Sequence, residues 1–568
     1  MHVSRQSLQP SLSVVLSVVG ACVLSTAAAA ADVSGRGSSG SGAAEAQYHI
    51  LAGEVAAGRN QPLVAAEEFL KALEFAPDAA LAARATSLAL ASNNATLALS
   101  TARKWLTIEP TSLEAREVIT RLSLRAGLTD QAYEQCVAIV KDHPGGLDDG
   151  LRHVSLLLAQ EEQQGPAALA LIAKLVAQYP KRAGAWQAQG LLALRFGDIE
   201  QAEKSARESL RLDPSSKEAP LLLTGALVRK GDIAGADQII DGQTRNNPIA
   251  SDIRLGYARL LIESNQREHA RLQLTRVLKG TGDNTDALYL LGLINLDEGK
   301  VDEAEPQFRT LVKTKDRANE AHYYLGRIAE QRGRWADALS EYTQVNAGNQ
   351  VLDASVRRAE MLYRTGKLDE ARVTLEQLRR QYPPLSPRFY LAEGQLLNDA
   401  GTPDEALLLY SRALEEHKNE PDLLYARSLV FERLKRLDEA EADLRTVLTA
   451  SPADARALNA LGFMLVVHSS RLDEAEKLIA KALEITPEEP AVIDSMGWLR
   501  FRQGRQSEAL LLLARAYEVF PDPEVAAHFG EALWVGGDRG KAQAVWDRAL
   551  QASPNNGVLR ETIKRLMP

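Results

Sequence analysis

The chain has 568 residues, of which 25% are charged and 45% hydrophobic, with a formal net charge of −9. That balance suits a folded protein in water, and the acidic excess argues against nucleic acid or an anionic membrane surface as a partner. Beyond residue 31 no apolar run is long enough to span a bilayer.

At the N-terminus, Arg5 precedes an apolar run over residues 12–24, then Ser25, Thr26 and alanines to Ala31. Charge, apolar core and small-residue exit mark residues 1–31 as a secretory signal peptide, so the chain is expected to be exported, in a bacterium to the periplasm. Two exits stay open. Cleavage near Ala31 would release a soluble protein. Alternatively, Val19-Gly20-Ala21-Cys22 loosely matches a bacterial lipobox without its usual Leu. It would leave Cys22 lipidated and the protein anchored to the outer membrane; no other membrane attachment is expected. Removing residues 1–31 takes away Arg5 and no acid, so the charge goes from −9 to −10. Residues 32–45 read as a Gly/Ser-rich linker.

Residues 46–554 repeat themselves. Ala202, Ala236, Ala270, Ala304 and Ala338 are each 34 residues apart. The series extends back through Ala168, Ala132, Ala98 and Ala65, and forward through Ala371, Ala406, Ala440, Ala475, Ala509 and Ala542, giving fifteen units. Five residues before these marks stand Gly197, Gly231, Gly299, Gly333, Gly366, Gly401, Gly504 and Gly537. A glycine there can take positive φ and end a helix. Twelve before the mark stand Gly53, Gly190, Gly292, Gly326, Gly394, Gly497 and Gly530, where two helices would approach closely. Twelve after it come prolines such as Pro77, Pro214 and Pro452, which close one unit and start the next. In units two to four, Thr86, Thr120 and Leu156 replace the small first-helix residue.

The stretch 287–316 shows one unit: two amphipathic helices of roughly 13–14 residues, about 20 Å each, joined at Gly299. Such a hairpin cannot bury its own apolar faces and needs copies on both sides. Leu559, Ile563 and Leu566 give residues 555–568 one apolar stripe, a C-terminal capping helix with Lys564 and Arg565 turned to water.

Small, small and proline at these offsets with a period of 34 resemble the tetratricopeptide repeat. The resemblance implies an all-α helix-hairpin solenoid, a superhelix whose concave side is lined by the first helix of each unit. Binding of protein partners is then the expected function. By repeat phase, Tyr289, Tyr323, Tyr363, Tyr425, Phe463, Trp498, Phe501 and Trp534 fall on that side, beside Arg327, Arg433 and Arg502. Aromatics and arginines are the residue types that most often anchor interfaces. The competing expectation is that some of these rings are hairpin core.

No chemistry accompanies the repeats. Phosphate-loop, zinc-protease, Cys-x-x-Cys and nucleophile-elbow motifs are absent, and the nine histidines are scattered. Neither a cofactor, a metal site nor an enzymatic activity is expected. Acidic pairs such as Asp302-Glu303 and Asp473-Glu474 fall at second-helix N-termini, where negative charge suits the helix dipole. Cys136, four residues after Ala132, reads as a small core residue.

DSMGW at 494–498 and FPDPEVAAHFGE at 520–531 make the C-terminal third similar to exported proteobacterial tetratricopeptide proteins. One such group is the outer-membrane lipoprotein adaptor of a periplasmic carboxyl-terminal processing protease that degrades peptidoglycan hydrolases. The resemblance implies a non-catalytic adaptor for such a protease, its substrates, or both. A scaffold of an envelope assembly or polysaccharide-export machine is the alternative.

Overall fold

The computed structural model describes residues 40–245, 250–314 and 316–567. The expected signal peptide, Cys22, Ala31 and the linker up to residue 39 lie outside them. Residues 40–45, expected to be linker, instead open the helix Gly40–Gly58. Gly40 and Gly42 sit in the first turn, where backbone N–H groups lack intrahelical partners anyway, and Ala43, Ala44 and Ala46 favour the helix.

Among the described residues the protein is all-α, with thirty-one α-helices and two 3₁₀ turns. It divides into two compact units, Met1–Ser264 and Asn265–Pro568. The first holds repeats 1 to 6 and the first helix of repeat 7, Ala250–Glu263. The second opens with the second helix of repeat 7, Arg267–Gly280, continues through repeats 8 to 15 and ends with the capping helix Gly557–Leu566. Within each unit, consecutive helices pack together, and in many repeats the first helix also touches the first helix of the next, as Leu147–Leu158 touches Ala183–Phe196 and Pro490–Arg502 touches Pro523–Val535.

The hairpin turn is fixed by one backbone position. All nine glycines five residues before the mark, Gly127 among them, have positive φ, from 67° at Gly333 to 92° at Gly537. In four of the six repeats without glycine there, Asn60, Asn93, Asn265 or Lys435 takes the same left-handed conformation, at φ values of 55–60°. Asparagine tolerates that conformation better than other side chains, whereas lysine pays the usual steric penalty. Past the turn, Asp198, Asp232 and Asp538 cap the second helices by accepting backbone N–H bonds. The acidic pairs Asp302-Glu303 and Asp473-Glu474 occupy first turns of second helices, as the dipole argument expects.

Closeness within a hairpin comes from pairing a small residue with a large one. Gly292 lies under the Phe308 ring; a β-carbon there would stand 2.7 Å from Cζ. Gly53 faces Phe69, Gly326 faces Tyr342, Gly394 faces Tyr410 and Gly530 faces Trp546 in the same way. Each ring sits four residues after its marker alanine. The irregular units obey the same volume rule. Thr86 and Thr120 stand where the partner at that offset shrinks to Ala102 or Cys136, and all four side chains are buried. Repeat 4 shifts phase instead. Ser155 is buried and its hydroxyl donates to the Ala188 carbonyl at 2.8 Å, while Leu156 turns outward at 58% exposure. The 3₁₀ turn Glu162–Gln164 takes up the offset.

Cys136 is a free, buried core thiol, as expected. Burial, opposed more weakly by Thr120, pushes it up to about 12, so it stays a neutral, inert thiol. The capping helix covers repeat 15 with Leu559, Ile563 and Leu566. Arg565 does not simply face water: its guanidinium pairs with both oxygens of Glu531 at 2.8 and 2.5 Å.

Candidate functional site

The residues expected on the partner face separate into three groups. Tyr289, Tyr323 and Tyr425 all lie fifteen residues before a marker alanine, at one position of the first helices of repeats 8, 9 and 12. Tyr289 is half-buried, with the Arg317 guanidinium 4.7 Å over its ring. Burial and then Tyr324 raise its phenol far above the ordinary value. Tyr425 is half-buried beneath Arg456, 5.4 Å from the ring centre, and burial raises it as well. Tyr323 is only 9% exposed and donates its hydroxyl to Asp353 at 2.7 Å, so it belongs more to the core than to the surface. Tyr363 is half-buried against the core around Leu362 and Leu396.

The arginines differ among themselves. Arg327 is exposed. Arg433 donates to the backbone carbonyl and side-chain oxygen of Asn398 at 2.9 and 2.7 Å. Arg502 donates to the Val466 carbonyl at 2.9 Å. Arg229 reaches Leu194 in the same manner. Each spans to the last turn of the preceding first helix and adds a donor to a carbonyl there; those of Asn398 and Leu194 also accept the N–H of Gly401 and Gly197. Arg433 and Arg502 are therefore inter-repeat ties before they are anything else.

The third group converges. The first helices of repeats 12 to 15 are Pro421–Arg433, Ala455–His468, Pro490–Arg502 and Pro523–Val535. Trp498 is 8% exposed, a correction to its expected place as an open groove residue. Its indole stacks on Phe501, centroids 4.9 Å apart, and on His528, 4.3 Å apart. Phe463 lies 5.7 Å from His528 on the far side. Phe463 and Phe501 are half-buried. Trp534 is half-buried against Trp546, with Arg539 5.0 Å above it, and stays within repeat 15.

Around these rings gather acids that the sequence reading did not select. Asp494 Oδ2 lies 2.8 Å from His528 Nδ1. His468 Nε2 lies 3.5 Å from Glu432 Oε1. Burial raises Glu432, against the pull of His468. Glu524 is exposed as a residue, yet desolvation of its carboxyl, joined by the charges of Asp522, Asp494 and Glu432, raises it too. His528 is pulled both ways. Burial lowers it, but Asp494, Glu524 and Glu531 together raise it. Repeat phase could have found Asp494, which occupies the rung of Tyr289, Tyr323 and Tyr425. His528 had only its place in the FPDPEVAAHFGE run to flag it.

A family model described as tetratricopeptide repeat matches residues 156–217, 188–241, 255–313, 296–348, 356–421 and 425–490, over half of the chain. A tetratricopeptide repeat-containing protein of Pseudomonas aeruginosa is 34% identical over 246 residues, covering 43% of this chain and 42% of the relative. A putative cellulose synthase operon protein C of Escherichia coli O157:H7 is 23% identical over 303 residues, covering 49% and 24%. The chain thus spans less than half the length of either relative. Among solved structures, a chain of the APC/C hetero-tetramer Cut9–Hcn1 aligns at a TM-score of 0.34 and 14% identity, over 93% of this chain and 97% of its own.

Proposed function

The chain belongs to the tetratricopeptide repeat family, and on that premise we propose that it is an exported, non-catalytic scaffold whose first-helix faces hold protein partners. The observation that carries the reading is the surface of repeats 12 to 15, where aromatic rings and carboxylates from four successive first helices meet. Residues held on packed helices form such a surface without much ordering on binding.

The first partner we propose is a periplasmic carboxyl-terminal processing protease, with peptidoglycan hydrolases as the proteins brought to it. Support comes from the DSMGW and FPDPEVAAHFGE runs, which supply Trp498, Asp494 and His528 to this surface; the Pseudomonas aeruginosa relative supports the repeat scaffold alone. The adaptor would work by holding protease and substrate together, making their encounter effectively intramolecular. Lipidation at Cys22 would add an outer-membrane location.

The second reading, a scaffold of a polysaccharide-export machine, is favoured by the similarity to the cellulose synthase operon protein. Pull-down from envelope extract with the mature chain separates the two. Recovery of a serine protease supports the adaptor, and recovery of glycan-synthesis or export components supports the alternative. Hydrolytic activity in the purified chain alone would overturn both. Build-up of precursor under a lipoprotein signal peptidase inhibitor would show that Cys22 is the lipidated residue.

A further inference from the structure

Three acids on the first helices of repeats 12 to 15, Glu432, Asp494 and Glu524, have no arginine or lysine paired with them among the described residues. Other carboxylates do, as Glu203 has Arg207 and Lys230 and Glu441 has Arg445 and Arg471. Glu524 has no such neighbour: of the groups acting on it, only His528 favours its charge, while Asp522, Asp494 and Glu432 oppose it. Glu432 comes from the first helix of repeat 12 and Glu524 from that of repeat 15, so carboxylates three repeats apart share one field.

Two acceptors beneath this surface lack donors. Asp494 is nine-tenths buried; its Oδ2 meets His528, but Oδ1 has no hydrogen-bond partner. On the adjacent first helix, Asn459 Oδ1 is likewise buried without one. An unmet buried acceptor costs free energy that an incoming donor would recover. Beside them runs the ring series Phe463, His528, Trp498 and Phe501. Aromatic faces and carboxylates both favour a cation. Among the described residues no three His, Cys, Asp or Glu side chains converge closely enough to hold a metal ion. The separated acceptors suit instead a group that carries several N–H donors.

Resting on the scaffold reading, we propose that the first-helix face of repeats 12 to 15 receives a basic side chain, lysine or arginine, projecting from a partner polypeptide between Glu432, Asp494 and Glu524 and alongside the Phe463–Trp498 rings. The net charge of −9 favours the approach of such a segment. This is the reverse polarity of a basic clamp that grips a terminal carboxylate.

The test uses random short peptides displayed on phage, selected on the immobilised full chain. Selected sequences are expected to be enriched in lysine or arginine. The strongest synthetic peptide should lose about tenfold in affinity to Glu524→Gln or Glu432→Gln, and as much when its basic residue becomes glutamine, the scale of one charge-assisted hydrogen bond. Glu524→Gln should melt with the wild type, since its carboxylate holds no ion pair within the fold; Glu432→Gln keeps an oxygen for the 3.5 Å contact with His468 and should melt within a few degrees of it. Selection without basic enrichment, no selection at all, or binding indifferent to both variants overturns the site. The envelope pull-down is read separately. Partner capture that survives Glu432→Gln/Glu524→Gln keeps the scaffold and removes the cation site. Basic-peptide binding by a chain that captures no envelope protein removes the scaffold reading and keeps the site.

Discussion

The His528 imidazole lies nearly parallel to the Trp498 indole, centroids 4.3 Å apart and planes 22° apart. Its Nδ1 meets Asp494 Oδ2 at 2.8 Å. Two runs separated by a whole hairpin thereby close on each other, DSMGW through Asp494 and Trp498, FPDPEVAAHFGE through His528. Burial opposes the imidazolium, but Asp494 of the neighbouring helix and Glu524 and Glu531 of its own hold His528 above its ordinary value of 6.5. A raised folded value means that protonation stabilises the fold. That contribution is complete below about pH 6.5 and fades as pH climbs through the raised value. Asp494→Asn should therefore cost about 2 kcal/mol at pH 6, the scale of a hydrogen bond to a charged group, and much less at pH 9. Melting temperatures of both proteins across that range check it; a gap that widens with pH contradicts the assignment.

Trp498→Ala tests where the indole belongs. An exposed groove tryptophan would lose partner affinity and leave the fold untouched. At 8% exposure, packed between Phe501 and His528, it should instead cost about 3–5 kcal/mol, like other buried tryptophan truncations. Chemical denaturation monitored by circular dichroism measures this. Phe501→Ala, at a half-buried ring, should cost less and serves better as a probe of binding.

Much of this architecture was legible beforehand, because each repeat marks its own turns. The turn glycines have positive φ for the reason their spacing implied. The site was less legible. A phase count puts Tyr289, Tyr323, Tyr425 and Asp494 on one rung, but it cannot tell that Asp353 draws the Tyr323 hydroxyl inward. Nor can it tell that Arg433 spends its guanidinium on Asn398. Those outcomes depend on the neighbouring repeat, 30 or 35 residues away, and the interleaving of long side chains there follows no periodic rule. Leu156 was misplaced because a 3₁₀ turn shifts its helix by one residue, which turns it outward and puts Ser155 in its place.

Gly530→Ala probes the small-large pairing. A methyl group there would overlap the indole of Trp546, which is 1% exposed and has little room to retreat. Overpacking of this kind costs about 1–3 kcal/mol. Adding Trp546→Leu should relieve part of the clash, so the double variant should be more stable than the sum of the single effects predicts. Strict additivity in denaturant melts would show that the two residues do not constrain each other.

Lys435 occupies the turn position that glycine holds in nine repeats, at φ 60°. A β-carbon in the left-handed region costs roughly 1–2 kcal/mol, partly offset by the greater unfolded-state freedom of glycine. Lys435→Gly should stabilise the second unit by about 0.5–1 kcal/mol. An unchanged or lower melting temperature would mean that the lysine side chain supplies something the turn geometry does not reveal.

Arg433 and Arg327 make a matched pair for separating structure from binding. Both are exposed arginines on first helices of the second unit. Arg433 closes the end of the preceding first helix through the Asn398 carbonyl at 2.9 Å and its side-chain oxygen at 2.7 Å. A cation at a helix C-terminus and a hydrogen bond to a last-turn carbonyl together contribute about 1 kcal/mol at an exposed position. Arg433→Ala should lower stability by that amount, whereas Arg327→Ala should leave it within about 0.5 kcal/mol. The binding effects should run the other way. Once a partner is in hand, Arg327→Ala should weaken it more than Arg433→Ala does, because only Arg327 has its guanidinium free of a helix end. Equal losses of affinity with unequal losses of stability would place both arginines in the interface and make the Asn398 bond a secondary role.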